Sequence, residues 1–144
     1  MEGEGSGRKR VRVLLTKSRI DAHDRGVRYV AKELRDAGME VIFTRYRLPE
    51  EIVMTAIQEA VEVIGVSCST GGHLYVAERV QQELSKTGGE EIKVIFGGII
   101  PDLDIPKMKK MGVAAIFGPG SSAEQIIRTI VEHSKPLKSA TDAR

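Results

Sequence analysis

The sequence predicts a doubly wound α/β domain with five parallel strands in the order 2-1-3-4-5, and three observations lead there. Five short, β-branched apolar runs alternate with longer stretches of helical period, the pattern of a parallel sheet covered by helices on both faces. Glycines and a proline fall where helices should stop or begin. The chain has 144 residues, 41% of them hydrophobic, enough for one buried core and too few for two ordinary domains. Right-handed crossovers then make the flavodoxin-like order the common solution for five strands of this length.

The first strand is expected at residues 11–16 and the first helix at 26–37. That helix places Val27, Val30, Ala31 and Leu34 on one face at spacings of three and four, while Arg28, Lys32, Arg35 and Asp36 point outward. Gly38 closes it as a left-handed cap. A strand at 40–44 leads into a helix at 49–59, where Pro49 suits the first turn. Residues 61–67 form the third strand and 72–86 the third helix, capped by Gly88 and Gly89. A strand at 93–96 precedes a short helix at 105–111, closed by Gly112; the last pair is a strand at 114–117 and a helix at 121–133. Residues 1–9 and 135–144 are polar and rich in small residues, so both ends are expected to be disordered around one domain at 10–134.

Charge and cysteine content exclude several classes. With 22 Lys and Arg against 20 Asp and Glu the net charge is +2, too small for the broad positive field that nucleic acid requires. Arg8, Lys9, Arg10 and Arg12 read as solvated charge at a strand start. One cysteine, Cys68, forms no internal disulfide and fits a reduced cytoplasmic thiol. No apolar run approaches the roughly 18–20 residues of a bilayer span, and MEGEGSGRKR has no apolar signal core.

In this topology ligands bind where the strand order reverses, outside the carboxyl ends of the first and third strands. Those loops fall near residues 17–26 and 67–73, and they carry the unusual residues. Asp21 and His23 lie two apart, so the carboxylate could accept the imidazole Nδ1–H and leave Nε2 to donate to a metal. Lys17, four residues earlier, could keep that carboxylate ionised, and Gly26 would let the helix start pack closely against a ligand. Taken alone, Asp-x-His-x-x-Gly is weak, because a loop histidine beside acids is commonly only solvated. Gly97 and Gly98 equally fit a plain turn, and His73, where the third helix begins, is either exposed or turned toward the ligand.

Taken together, DAHDRG at 21–26, IGVSCSTGGH at 64–73, FGGIIP at 96–101 and MGVAAIFGPGSS at 111–122 make the chain resemble the cobalamin-binding domain of adenosylcobalamin-dependent acyl-CoA mutases, especially the small subunits of the methylmalonyl-CoA mutase family. The likeness spans about residues 10–133. It implies a Rossmann-like cobalamin-binding domain in which His23 replaces the cofactor's own base as lower cobalt ligand, with Asp21 and Lys17 as a relay behind it. The displaced nucleotide tail then enters a deep pocket. The loop residues Ala22, Asp24, Arg25 and Gly26, with Ser67, Ser69 and Gly71, would face the cofactor, Gly97 and Gly98 would leave room for the tail, and Gly118, Pro119 and Gly120 would line its far end. The resemblance further implies a large substrate-binding β/α-barrel partner that holds the acyl-CoA, a fold of about 250 residues that this chain cannot contain, so the chain alone should be catalytically silent.

The chain departs from the family pattern at four places: Ala22 replaces a glycine, Ser18-Arg19 a Met-Gly pair, and Ser67-Cys68-Ser69 lacks a leucine, while Thr44-Arg45-Tyr46 puts bulk where a Thr-Gly-Leu-like stretch is common. A slot plugged by Arg45, Tyr46 or the loop near Ser69 would contradict corrinoid binding, leaving a degenerate regulatory or assembly module. Four other readings lack their own requirements. A phosphoacceptor receiver needs an Asp where this chain has Ser67; a flavodoxin needs a Ser/Thr-rich phosphate loop and flanking aromatics, which are 4% here. A corrinoid methyl carrier adds an N-terminal helical bundle, and His23, His73 and Cys68 lack paired zinc spacing.

Overall fold

A computed structural model describes residues 10–142, with side chains through 134; Arg8 and Lys9 of the basic cluster, and the rest of 1–9 with 143–144, lie outside the described residues. Five parallel strands, β1 (Arg12–Ser18), β2 (Glu40–Tyr46), β3 (Val63–Cys68), β4 (Lys93–Gly98) and β5 (Ala115–Phe117), form one sheet in the order β2-β1-β3-β4-β5, the order expected. The helices are α1 (Arg25–Asp36), α2 (Pro49–Gln58), α3 (His73–Thr87), α4 (Ile105–Lys110) and α5 (Ala123–Asp142), with a 3-10 turn at Asp102–Asp104 before α4.

Alternation along the strands splits the core into two layers. Leu14, Ile64, Val66, Val94 and Phe96 pack with α2, α3 and α4 through Ile52, Val76, Val80 and Met108. Val13, Leu15, Val63 and Ile95 face the other way, onto Val27, Ala31 and Leu34 of α1 and Ile130 of α5. Burial on both faces is why these strands read as nearly continuous apolar runs.

Several boundaries move. β1, β2 and β4 each extend two residues past their expected ends, because the ladder continues through Lys17↔Arg45, Ser18↔Tyr46, Ser67↔Gly97 and Cys68↔Gly98. α5 runs to Asp142 rather than stopping at 133. The stretch 135–142 is therefore helical backbone. Gly38, Gly88 and Gly112 have φ of 95°, 78° and 110°, as expected of left-handed caps, while Gly89 is not left-handed and instead donates to the Leu84 carbonyl at 2.8 Å.

The end of α2 has no glycine, and no sequence signal marked its left-handed residue. Ala60 has φ 55°, with its amide bonded to the Ile57 carbonyl and that of Val61 to the Ala56 carbonyl, the paired bonds of a Schellman cap. This cap also delays β3 to Val63. Ala60→Gly is expected to raise stability by about 1 kcal/mol, since the strain relieved exceeds the added freedom of the unfolded chain. Urea denaturation checks it through a higher midpoint at unchanged slope.

Candidate functional site

Strand register sets one residue of each strand in a row at the carboxyl edge of the sheet. Arg45, Lys17, Ser67, Gly97 and Phe117 are successive partners across the five strands and point to the α1–α5 face. One pleat repeat back lie Phe43, Leu15, Gly65, Ile95 and Ala115. With glycine in both rows the floor is low, and a cavity of about 690 Å³ opens between sheet and helices, within the range of roughly 300–1,000 Å³ that holds small molecules.

Most of the residues read from the sequence line this cavity. Ala22, His23 and Asp24 come from the β1–α1 loop and Arg25 and Gly26 from the first turn of α1; Ser67, Ser69, Gly97 and Gly98 come from β3, β4 and the loop after β3, and Gly118 and Pro119 follow β5. Gly71 and Gly120 are not brought to its wall. Sequence reasoning missed Tyr29 and Val30, which line it from α1, and Ile126, which lines it from α5. Their signal was available: Tyr29 and Val30 follow Gly26 at helical spacings of three and four.

The two neighbouring glycines serve different needs. A Cβ on Gly98 would stand 2.1 Å from the Cys68 carbonyl oxygen, and its φ is +120°, so the strand itself demands glycine there. A Cβ on Gly97 would meet only the Phe117 carbonyl, at 3.7 Å. The protein tolerates a side chain at 97, and the open space is what one would fill.

Asp21 is buried and His23 largely exposed, joined through Asp21 Oδ1, which accepts from the His23 amide at 2.9 Å and lies 2.8 Å from ring Nδ1. Asp21 Oδ2 accepts from the Ser69 amide at 3.2 Å. Burial pushes the Asp21 carboxyl up, but the hydrogen bonds from the His23 amide and ring and the Ser69 amide outweigh it and hold it below its ordinary value. An ionised carboxylate only accepts, so Nδ1 carries the hydrogen, and in the neutral ring the lone pair is then on Nε2. No side chain among the described residues engages that Nε2.

Lys17 departs from its expected part. It lies in β1 rather than in the loop, fully buried, and its Nζ bonds the Asp21 main-chain carbonyl and Asp24 Oδ1, the latter at 2.6 Å, instead of the Asp21 carboxylate. Asp24 Oδ2 also accepts from Arg45 at 2.9 Å. The Lys17 ammonium and the Arg45 guanidinium together hold the Asp24 carboxyl far below the usual carboxylate range.

The departures from the family pattern leave the cavity open. Ala60 is the one non-glycine with positive φ among the described residues, so Ala22 sits in backbone that alanine adopts freely. Tyr46 is buried in the opposite core layer, and Arg45 lies over the Phe43 ring at 4.9 Å; neither lines the cavity. His73 is neither exposed nor turned to the cavity: it is buried, with Nε2 2.7 Å from Asp104 Oδ2. Cys68 is buried in the layer away from the cavity, its thiol pushed up to about 11 by burial. Among the described residues no helix is long and apolar enough to cross a membrane.

The B12 binding domain family matches residues 11–128. The chain is 45% identical over 121 residues to the 2-hydroxyisobutanoyl-CoA mutase small subunit of Aquincola tertiaricarbonis, covering 83% of this chain and 89% of that one. It is 40% identical over 126 residues to the pivalyl-CoA mutase small subunit of Xanthobacter autotrophicus, covering 87% and 84%. Among solved structures, a cobalamin-binding protein from Desulfitobacterium hafniense superposes with a TM-score of 0.72 at 20% identity, over 87% of this chain and 60% of that one, a likeness of fold. By sequence over most of its length, the chain belongs to the B12-binding domain family.

Proposed function

We propose that this protein binds adenosylcobalamin with its lower base displaced, His23 taking the base's place on cobalt, and serves as the small subunit of a two-component acyl-CoA carbon-skeleton mutase. One observation carries the reading: His23 stands at an open cavity with Nδ1 held by a buried carboxylate and Nε2 free. When bound, the cofactor supplies a cobalt–carbon bond that breaks homolytically to start radical chemistry. The chain's own part is to bind and orient. Asp21 fixes the imidazole tautomer, Lys17 anchors the loop through the Asp21 carbonyl and Asp24, and Ser67, Gly97 and Gly118 leave space for the nucleotide tail.

Residues 10–134 form the binding unit, working in the cytoplasm. A larger substrate-binding β/α-barrel chain holds the acyl-CoA and seals it from water. Purified alone, the protein is expected to turn over no acyl-CoA. Co-expressed with such a chain it should co-purify and, with adenosylcobalamin, isomerise methylmalonyl-CoA or a branched analogue. Corrinoid uptake without any partner or turnover would contradict the mutase assignment; no corrinoid uptake at all would favour the regulatory or assembly module.

A further inference from the structure

The Asp24 carboxylate is spent in an unusual way. Asp24 immediately precedes α1, where aspartate commonly accepts from the first free amides of a helix, yet its side chain makes no such bond. It turns instead to the strand tips, where Lys17 and Arg45 are partners on one face of adjacent strands. Two cations side by side repel; here one carboxylate lies between them, with Oδ1 on Lys17 and Oδ2 on Arg45.

The β1–α1 loop is thereby pinned at two points. Lys17 holds the Asp21 carbonyl at one side of His23, and the Lys17–Asp24–Arg45 bridge holds the other. Arg45 is itself braced by its stacking on Phe43. Lys17 serves both points, while Arg45 touches the loop only through Asp24 and does not line the cavity.

We propose that Arg45 is a positioning residue: through Asp24 it holds the loop bearing His23 in its ligand-ready arrangement before the cofactor arrives. This rests on the reading of His23 as the cobalt ligand. The cost of ordering the loop is then met on folding, and it shows as faster corrinoid capture.

The test compares wild type, Arg45→Gln and Arg45→Lys. In ligand-free protein, hydrogen exchange at the His23 amide should speed about tenfold in Arg45→Gln, with core amides such as Leu14 and Phe96 unchanged. Association with hydroxocobalamin, followed by its imidazole-ligation spectrum, should slow about five- to tenfold in the same variant, and Arg45→Lys should restore most of both. Because the pair is partly exposed, 0.5 M salt should narrow the gap from wild type. Unchanged exchange at His23, or unchanged association despite faster exchange, overturns the inference. A wild type that never gives the ligation spectrum instead refutes the reading of His23, and the exchange measurement still decides whether Arg45 holds the loop.

Discussion

Gly97→Val is expected to lower corrinoid affinity about a hundredfold, roughly 2.7 kcal/mol, while leaving the fold intact. Its Cβ would meet only the Phe117 carbonyl at ordinary contact distance, so the added methyls occupy the cavity and not the core. Gly98→Ala should do the reverse in magnitude. A Cβ 2.1 Å from the Cys68 carbonyl at a φ of +120° combines steric overlap with backbone strain, together about 2–5 kcal/mol. Thermal denaturation and corrinoid titration of both variants separate the two effects. Unchanged affinity in Gly97→Val at unchanged stability would show that position 97 does not face the ligand.

Asp21→Asn is expected to weaken corrinoid binding about 10–100-fold, the usual loss when the group that orients a ligand histidine is removed. The carboxylate accepts from three donors, the His23 amide, the His23 ring and the Ser69 amide. An asparagine offers one oxygen and must set its NH2 against a donor, either the Ser69 amide or the His23 pair, and its uncharged oxygen holds Nδ1–H less strongly than a carboxylate does. The pH dependence has a definite sign. The folded carboxyl is depressed below 3.8, so its contribution is complete above that value and disappears as pH falls through the lower folded one. Wild-type Asp21 should therefore stay ionised and hold the ring down to at least about pH 4. Tautomer-specific nitrogen shifts of His23, read by NMR in the ligand-free protein, check this against the variant.

The sheet order was legible because two-sided burial leaves apolar runs of strand length, and right-handed crossovers admit few arrangements of five. Strand ends were not, where polar residues complete the ladder. Lys17 looks like a loop residue because lysine is rarely buried, but the Asp21 carbonyl and Asp24 satisfy it in place. The Asp21–His23 contact followed from a spacing of two and the short reach of an aspartate. The part of Arg45 did not, since its partner lies 21 positions away and only the β1–β2 register brings them together. For His73 the sequence left two places, solvent or the ligand, because a helix start at this edge of the sheet faces one or the other; instead Asp104, in the turn at Asp102–Asp104, holds it buried.

The most direct measurement is the absorption spectrum of hydroxocobalamin mixed with purified wild-type protein and with His23→Ala. A shift of the cobalt bands to those of imidazole ligation in the wild type, absent in the variant, is expected. The same spectrum from both proteins, or no shift in either with corrinoid in excess, would contradict ligation by His23.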